Sequence, residues 1–98
     1  MSDNATVRHD EGANRYVLEV DGKDLGFAEY RPDDDRRVFV HTEVDDSLEG
    51  KGMGSKLVRE ALDGSRKDGK RIVPLCSFVA GYVERHPDWN DIIDTTGR

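Results

Sequence analysis

One cysteine, Cys76, stands alone in this chain of 98 residues. A lone cysteine excludes an internal disulfide framework and a cysteine-based zinc finger. Long apolar runs are missing as well. None approaches the ~18 residues that a membrane-crossing helix requires. Positive charge is in deficit, with 15 basic against 21 acidic residues and a net charge of −6. An acidic chain is a poor default partner for nucleic acid or for anionic membrane surfaces. The opening M-S-D-N-A-T has neither the basic nor the apolar region of a signal peptide. Internal repeats and low-complexity tracts are also lacking. Hydrophobic residues make up only 35% of the chain, but they fall in periodic blocks, which argues for a folded domain rather than disorder. A chain of this length buries about 65% of its extended surface, enough for one core. The expectation is a single soluble, cytoplasmic domain over residues 1–98.

Charge is unevenly spread along the chain. Carboxylates crowd the first half, including Asp33-Asp34-Asp35 and Asp45-Asp46. Lys51, Lys56, Arg59, Arg66, Lys67, Lys70 and Arg71 follow in one segment. Such a zone is either the solvated face of a helix or a site for a small polyanion.

The first half has strand periodicity. Ala5 to His9 is a candidate short strand. Arg15 to Val20 alternates polar and apolar residues and runs into Asp21-Gly22, a favoured pair for a tight hairpin. Leu25 to Arg31 returns as a strand with Leu25, Phe27 and Glu29 on one face. Pro32-Asp33-Asp34-Asp35 predicts a turn, with the proline stopping the ladder. Arg37 to Val44 alternates again, which predicts Val38, Val40, Thr42 and Val44 on one face and Phe39, His41 and Glu43 on the other.

The second half changes period. Met53, Leu57, Val58, Ala61 and Leu62 form a helical stripe, ended by Lys67-Asp68-Gly69-Lys70. Arg71 to Leu75 predicts a short strand. Ser77 is placed to cap a second helix with Phe78, Val79, Tyr82 and Val83 as its buried stripe. Pro87 stops that helix, and Trp89, Ile92 and Ile93 fold back on the core. The order is β-β-β-β-α-β-α, an α+β fold with a mixed, mostly antiparallel sheet.

Between the fourth strand and the first helix lies E-G-K-G-M-G-S-K-L-V, from Glu49 to Val58. Glycines there let the main chain approach a ligand closely, and loop N–H groups with a helix N-terminus converge on an anion. Ser55 and Lys56 add a hydroxyl and a charge. A P-loop is excluded because the last glycine is followed by Ser55 and only then Lys56. The dinucleotide fingerprint is excluded because G-x-G-x-G follows antiparallel strands. The alternative to an anion site is a flexible turn before a helix.

The remaining pattern, Glu49-x-x-Gly52-x-Gly54, resembles the acyl-CoA pyrophosphate loop of the GCN5-related N-acetyltransferases. H-T-E-V (His41–Val44), the glycine loop (Gly50–Val58) and V-P-x-C-x-F-V-x-x-Y-x-x-R-H-P (Val73–Pro87) together resemble a small one-domain branch of that family. The resemblance implies an N-acetyltransferase that uses acetyl-CoA, with a small-molecule amine or a lysine-containing peptide as acceptor. It implies cofactor contacts from Val44, Asp45, Gly50, Lys51, Gly52, Met53, Gly54, Ser55 and Lys56, with Cys76 at the thioester end. The pantetheine arm would lie where the sheet splays, pairing with backbone at Glu43, Val44 and Asp45, and amides near Val44 would polarise the acetyl carbonyl. Cys76 is then an acetyl-accepting nucleophile, a general acid or part of the pocket wall. Tyr82 is either the acid for the departing thiolate or a core tyrosine. His41 and Glu43 share a face and either accept the amine proton or form a solvated edge. No metal is implied. A non-catalytic acyl-CoA-binding or interaction module is the alternative. Glu49 departs from the family's usual glutamine or arginine. A carboxylate beside a pyrophosphate is unfavourable, so Glu49 is expected to point away.

Overall fold

The computed structural model describes residues 5–94. The first four residues of the opening M-S-D-N-A-T lie outside the described residues, as do both ends of the expected 1–98 domain. Five strands run β1 (Ala5–Asp10), β2 (Arg15–Val20), β3 (Lys23–Asp33), β4 (Arg36–Val44) and β5 (Arg71–Pro74). They form one sheet in that same order. The first three pairings are antiparallel and β4–β5 is parallel. Helix α1 (Met53–Lys67) supplies the crossover between β4 and β5, and α2 (Ser77–Arg85) follows. A parallel pair needs such a crossover, whereas the antiparallel strands join by short turns. The hairpin between β2 and β3 turns at Asp21 (φ 51°) and Gly22 (φ 83°), the doubly left-handed backbone for which Asp-Gly is selected.

Helices cover one face of the sheet. Leu57, Val58, Ala61 and Leu62 of α1 are at most 1% exposed and pack over Leu18, Ala28, Phe39 and Ile72. Each fully buried Leu or Val contributes about 1.5–3 kcal/mol of transfer free energy. Past α2, a 3-10 turn (Pro87–Ile92) brings Trp89 into the same core. Its end is tied to β5 by the Asp94 N–H, which donates to the Ile72 carbonyl at 2.7 Å.

Four local expectations are corrected. Pro32 does not stop the ladder: it lies within β3, opposite Arg37. The reason is that β2 last pairs with β3 at Glu29, so beyond it β3 is open on one side and a missing N–H is tolerated. The faces of β4 also differ from simple alternation. Glu29 pairs with His41 but Tyr30 pairs with Phe39, leaving Val40 as a bulge that resets the parity. Phe39 before the bulge and Thr42 after it therefore lie opposite the buried Tyr30 and Ala28, while His41 and Glu43 face away. Ser77 is not the cap of α2. Cys76 occupies that position without a side-chain capping bond, and Ser77 is the first helical residue. Phe78, expected on the buried stripe, is 41% exposed.

Candidate active site

The glycine loop enters α1 through two left-handed residues, Gly50 (φ 79°) and Gly52 (φ 73°), and Gly52 is the N-cap. These dihedrals strain any residue with a Cβ. Gly54 has a different constraint. A Cβ there would lie 2.5 Å from Cζ of Phe78, so this glycine makes room for an aromatic ring. The first bond at the start of α1 runs from the Lys56 N–H to the Gly52 carbonyl. The N–H groups of Met53, Gly54 and Ser55 precede it and have no acceptor within the helix. They form the positive end of the helix dipole.

In front of these amides lies a groove of about 370 Å³. Of the residues expected to hold cofactor, Val44, Asp45, Gly50, Gly52, Met53, Gly54 and Ser55 line it. Lys51, Lys56 and Cys76 do not. Lys51 borders a separate hollow with Val20, Lys23 and Leu25. Lys56 leans along its helix toward Glu60, with Nζ 3.7 Å from the carboxylate. Asp45, Asp46 and Glu49 also line the groove. The Asp45 carboxylate accepts from the Ser47 hydroxyl and N–H, which holds it below the usual carboxylate range. Glu49, expected to point away from a bound pyrophosphate, is exposed and borders the groove. Attraction for an anion thus comes from the backbone amides and not from side-chain cations. Farther along the segment, Arg66 is bonded to Asp91 and the Asp88 carbonyl, and Lys70 to the Asp34 carbonyl, so that end of the basic zone stitches the fold together.

The groove leads to a split in the sheet. Strand β5 pairs with β4 only from Arg36 to Phe39, whereas β4 runs on to Val44. The Phe39 carbonyl marks the fork, accepting the N–H groups of both Leu75 (3.1 Å) and Cys76 (2.8 Å). Beyond the fork, residues 40–44 have no strand beside them on that edge among the described residues. The Cys76 thiol, 9% exposed, donates across this gap to the Thr42 hydroxyl at 3.3 Å. Thr42 and Phe78 were not singled out as site residues in the sequence. The C-x-F spacing beside Cys76 was the one signal for Phe78, and the bulge at Val40 hid Thr42.

The remaining catalytic candidates lie elsewhere. Tyr82 is in the core, stacked on His86 at 4.2 Å and beside Trp89 at 5.7 Å. Burial raises its pKa above the ordinary phenol value, so it stays protonated at neutral pH. His41 Nε2 and Glu43 Oε2 are 2.8 Å apart on the exposed face of the sheet. Strand alternation directs them away from Thr42 and Cys76. Glu43 borders a second hollow, of about 380 Å³, with Asp24, Phe27 and Asp45.

A buried polar centre at the far end of the sheet was not foreseen. Arg37 is 5% exposed and donates to the Tyr16 hydroxyl (2.7 Å) and Ser65 (3.2 Å). It also pairs with Asp68 at 2.9 Å. His9 stacks on Tyr16 at 4.2 Å and bonds the Tyr30 hydroxyl at 2.7 Å. This network ties the first hairpin to α1 and lies apart from the groove residues.

Comparisons with known proteins agree with this geometry. No curated protein matches the sequence. The solution NMR structure of a GCN5-like protein from Staphylococcus aureus superimposes with a TM-score of 0.72 at 26% identity, covering 100% of this chain and 95% of that one. The family model described as GCN5-related N-acetyl-transferase matches residues 15–92. That match takes in the split, the glycine loop and both helices, and the chain belongs to the GCN5-related N-acetyltransferase family.

Proposed function

We propose that this chain is a minimal, single-domain cytoplasmic enzyme that transfers acetyl from acetyl-CoA to an amine. The observation that carries the proposal is the continuous path from the amides at the start of α1, along the free edge of β4, to Cys76 and Thr42. The donor set fits a CoA. Amides of Met53, Gly54 and Ser55 at a helix N-terminus suit a pyrophosphate, and a strand edge with free backbone groups suits the amide-bearing pantetheine arm. When bound, acetyl-CoA supplies an activated thioester carbonyl. Backbone near Val44 orients that carbonyl, and the Cys76 thiol, held by Thr42, lines its end of the gap. The His41–Glu43 pair is a proton acceptor for an amine arriving on the opposite face of the sheet. Carboxylates of Asp24, Glu43 and Asp45 around the adjoining hollow favour a cationic amine, free or on a lysine side chain.

Calorimetric titration with acetyl-CoA, followed by acetylation assays across small amines and lysine peptides, tests this proposal. Absence of binding at millimolar cofactor would overturn it. Binding without turnover on any amine would establish the second reading, a non-catalytic CoA-binding module. That reading is favoured by the three carboxylates in the groove and by the placement of His41 and Glu43 away from Cys76.

A further inference from the structure

Two large apolar side chains among the described residues are exposed, Leu75 at 66% and Phe78 at 41%. Leu75 lies in the short junction between β5 and α2, and Phe78 in the first turn of α2, at the mouth of the split. Helical spacing puts Phe78 on the same stripe as the buried Tyr82, one turn on, yet its ring turns outward. It reaches α1, where the Gly54 Cα carries no side chain: a Cβ there would meet Cζ, Cε2 and Cε1 at 2.5, 3.2 and 3.4 Å. The ring therefore spans from the glycine loop to α2, and its own backbone is two residues from Cys76. It lines the groove with Val44, Leu48 and Met53. Its ring is thus an aromatic lining of a groove, at the boundary between polar amides and an open strand edge, where a ligand in the groove would cover it.

We propose that Phe78 recognises the pantetheine arm of CoA, packing its ring on the apolar part of the arm between the pyrophosphate amides and Cys76. This rests on the acetyl-CoA reading above and adds a residue that separates a pantetheine-bearing nucleotide from a bare one. The pyrophosphate amides hold 3′-phospho-ADP and CoA equally, while the ring contacts only the latter. Gly54 is then part of the same device, since without its bare Cα the ring has no place to lie.

The test is calorimetric titration of wild type and Phe78→Ala with CoA and with 3′-phospho-ADP. Phe78→Ala is expected to weaken CoA about tenfold, the loss of one well-covered aromatic contact. It should change 3′-phospho-ADP less than about twofold, and Phe78→Leu should recover part of the CoA affinity. Because the ring is half-exposed, the variant should keep the wild-type melting temperature, and Phe78→Leu gives a second reading if it does not. An equal loss for both nucleotides, or none for CoA, overturns the role of Phe78 while leaving acetyl-CoA as cofactor intact. Failure of the wild type to bind either nucleotide overturns both.

Discussion

The same substitution at two glycines of α1 should have different outcomes, decided by how firmly the neighbouring ring is held. Gly54 and Gly64 both lie in α1 against an aromatic residue. Replacing glycine by alanine inside a helix contributes about 1 kcal/mol of stability through propensity alone. At Gly64 the new Cβ would stand 2.9 Å from the Tyr16 hydroxyl and 3.1 Å from its Cε2. Tyr16 cannot withdraw: it is 3% exposed, stacked on His9 and bonded to Arg37. Overpacking of this kind costs about 1–3 kcal/mol, and a charge-assisted bond to Arg37 worth ~1.5–3 kcal/mol is strained with it. Gly64→Ala should therefore lose about 2 kcal/mol net, a fall in melting temperature of roughly 8–16 °C for a domain of this size. At Gly54 the nominal contact is tighter, 2.5 Å to Phe78 Cζ, but that atom is the tip of a half-exposed ring that can swing into solvent. Gly54→Ala should stay within about 1 kcal/mol of wild type, and its cost should fall on the groove instead. Urea and thermal unfolding of the two variants side by side decide the matter. If Gly54→Ala loses as much stability as Gly64→Ala, ring exposure is not what sets the outcome.

Two further outcomes follow from the charges. Glu49→Gln removes a carboxylate from the groove wall and should tighten CoA about two- to fivefold, since unit charges near contact in water interact by ~1 kcal/mol. The gain should shrink as salt is raised, and a gain indifferent to salt would place Glu49 away from the pyrophosphate. For His9, burial first and the positive charge of Arg37 second push the imidazole below its usual range. The unfolded chain therefore takes up this proton near pH ~6.5 and the folded chain only at lower pH. Stability present above pH ~6.5 should thus be lost as pH falls through that value. Urea midpoints between pH 7.5 and 5.5 measure the slope, and His9→Gln should flatten it. An unchanged slope in the variant would assign the effect to other groups.

What the sequence disclosed and what it hid divide along a physical line. Signals carried by neighbours in sequence were legible: the Asp21-Gly22 hairpin, the α1 stripe, the stop at Pro87 and the strand-to-helix setting of the glycine loop. Features decided by distant partners were not. Val40 bulges without a glycine or proline to announce it, and that one extra residue moves Thr42 to the Cys76 side and His41 and Glu43 to the other. Arg37 looks like a polar strand start, yet its alternation with Phe39 puts it inside, where Asp68 from the end of α1 balances its charge. The glycine triplet shows the limit most clearly. Spacing treats the three residues alike, but Gly50 and Gly52 are required by their own positive φ, with nothing within 4 Å of an added Cβ, whereas Gly54 is required by a ring from α2. A local dihedral can be inferred from a local motif. A steric requirement needs the neighbour, and Phe78 occupies that place only because it leaves the buried stripe on which its spacing puts it.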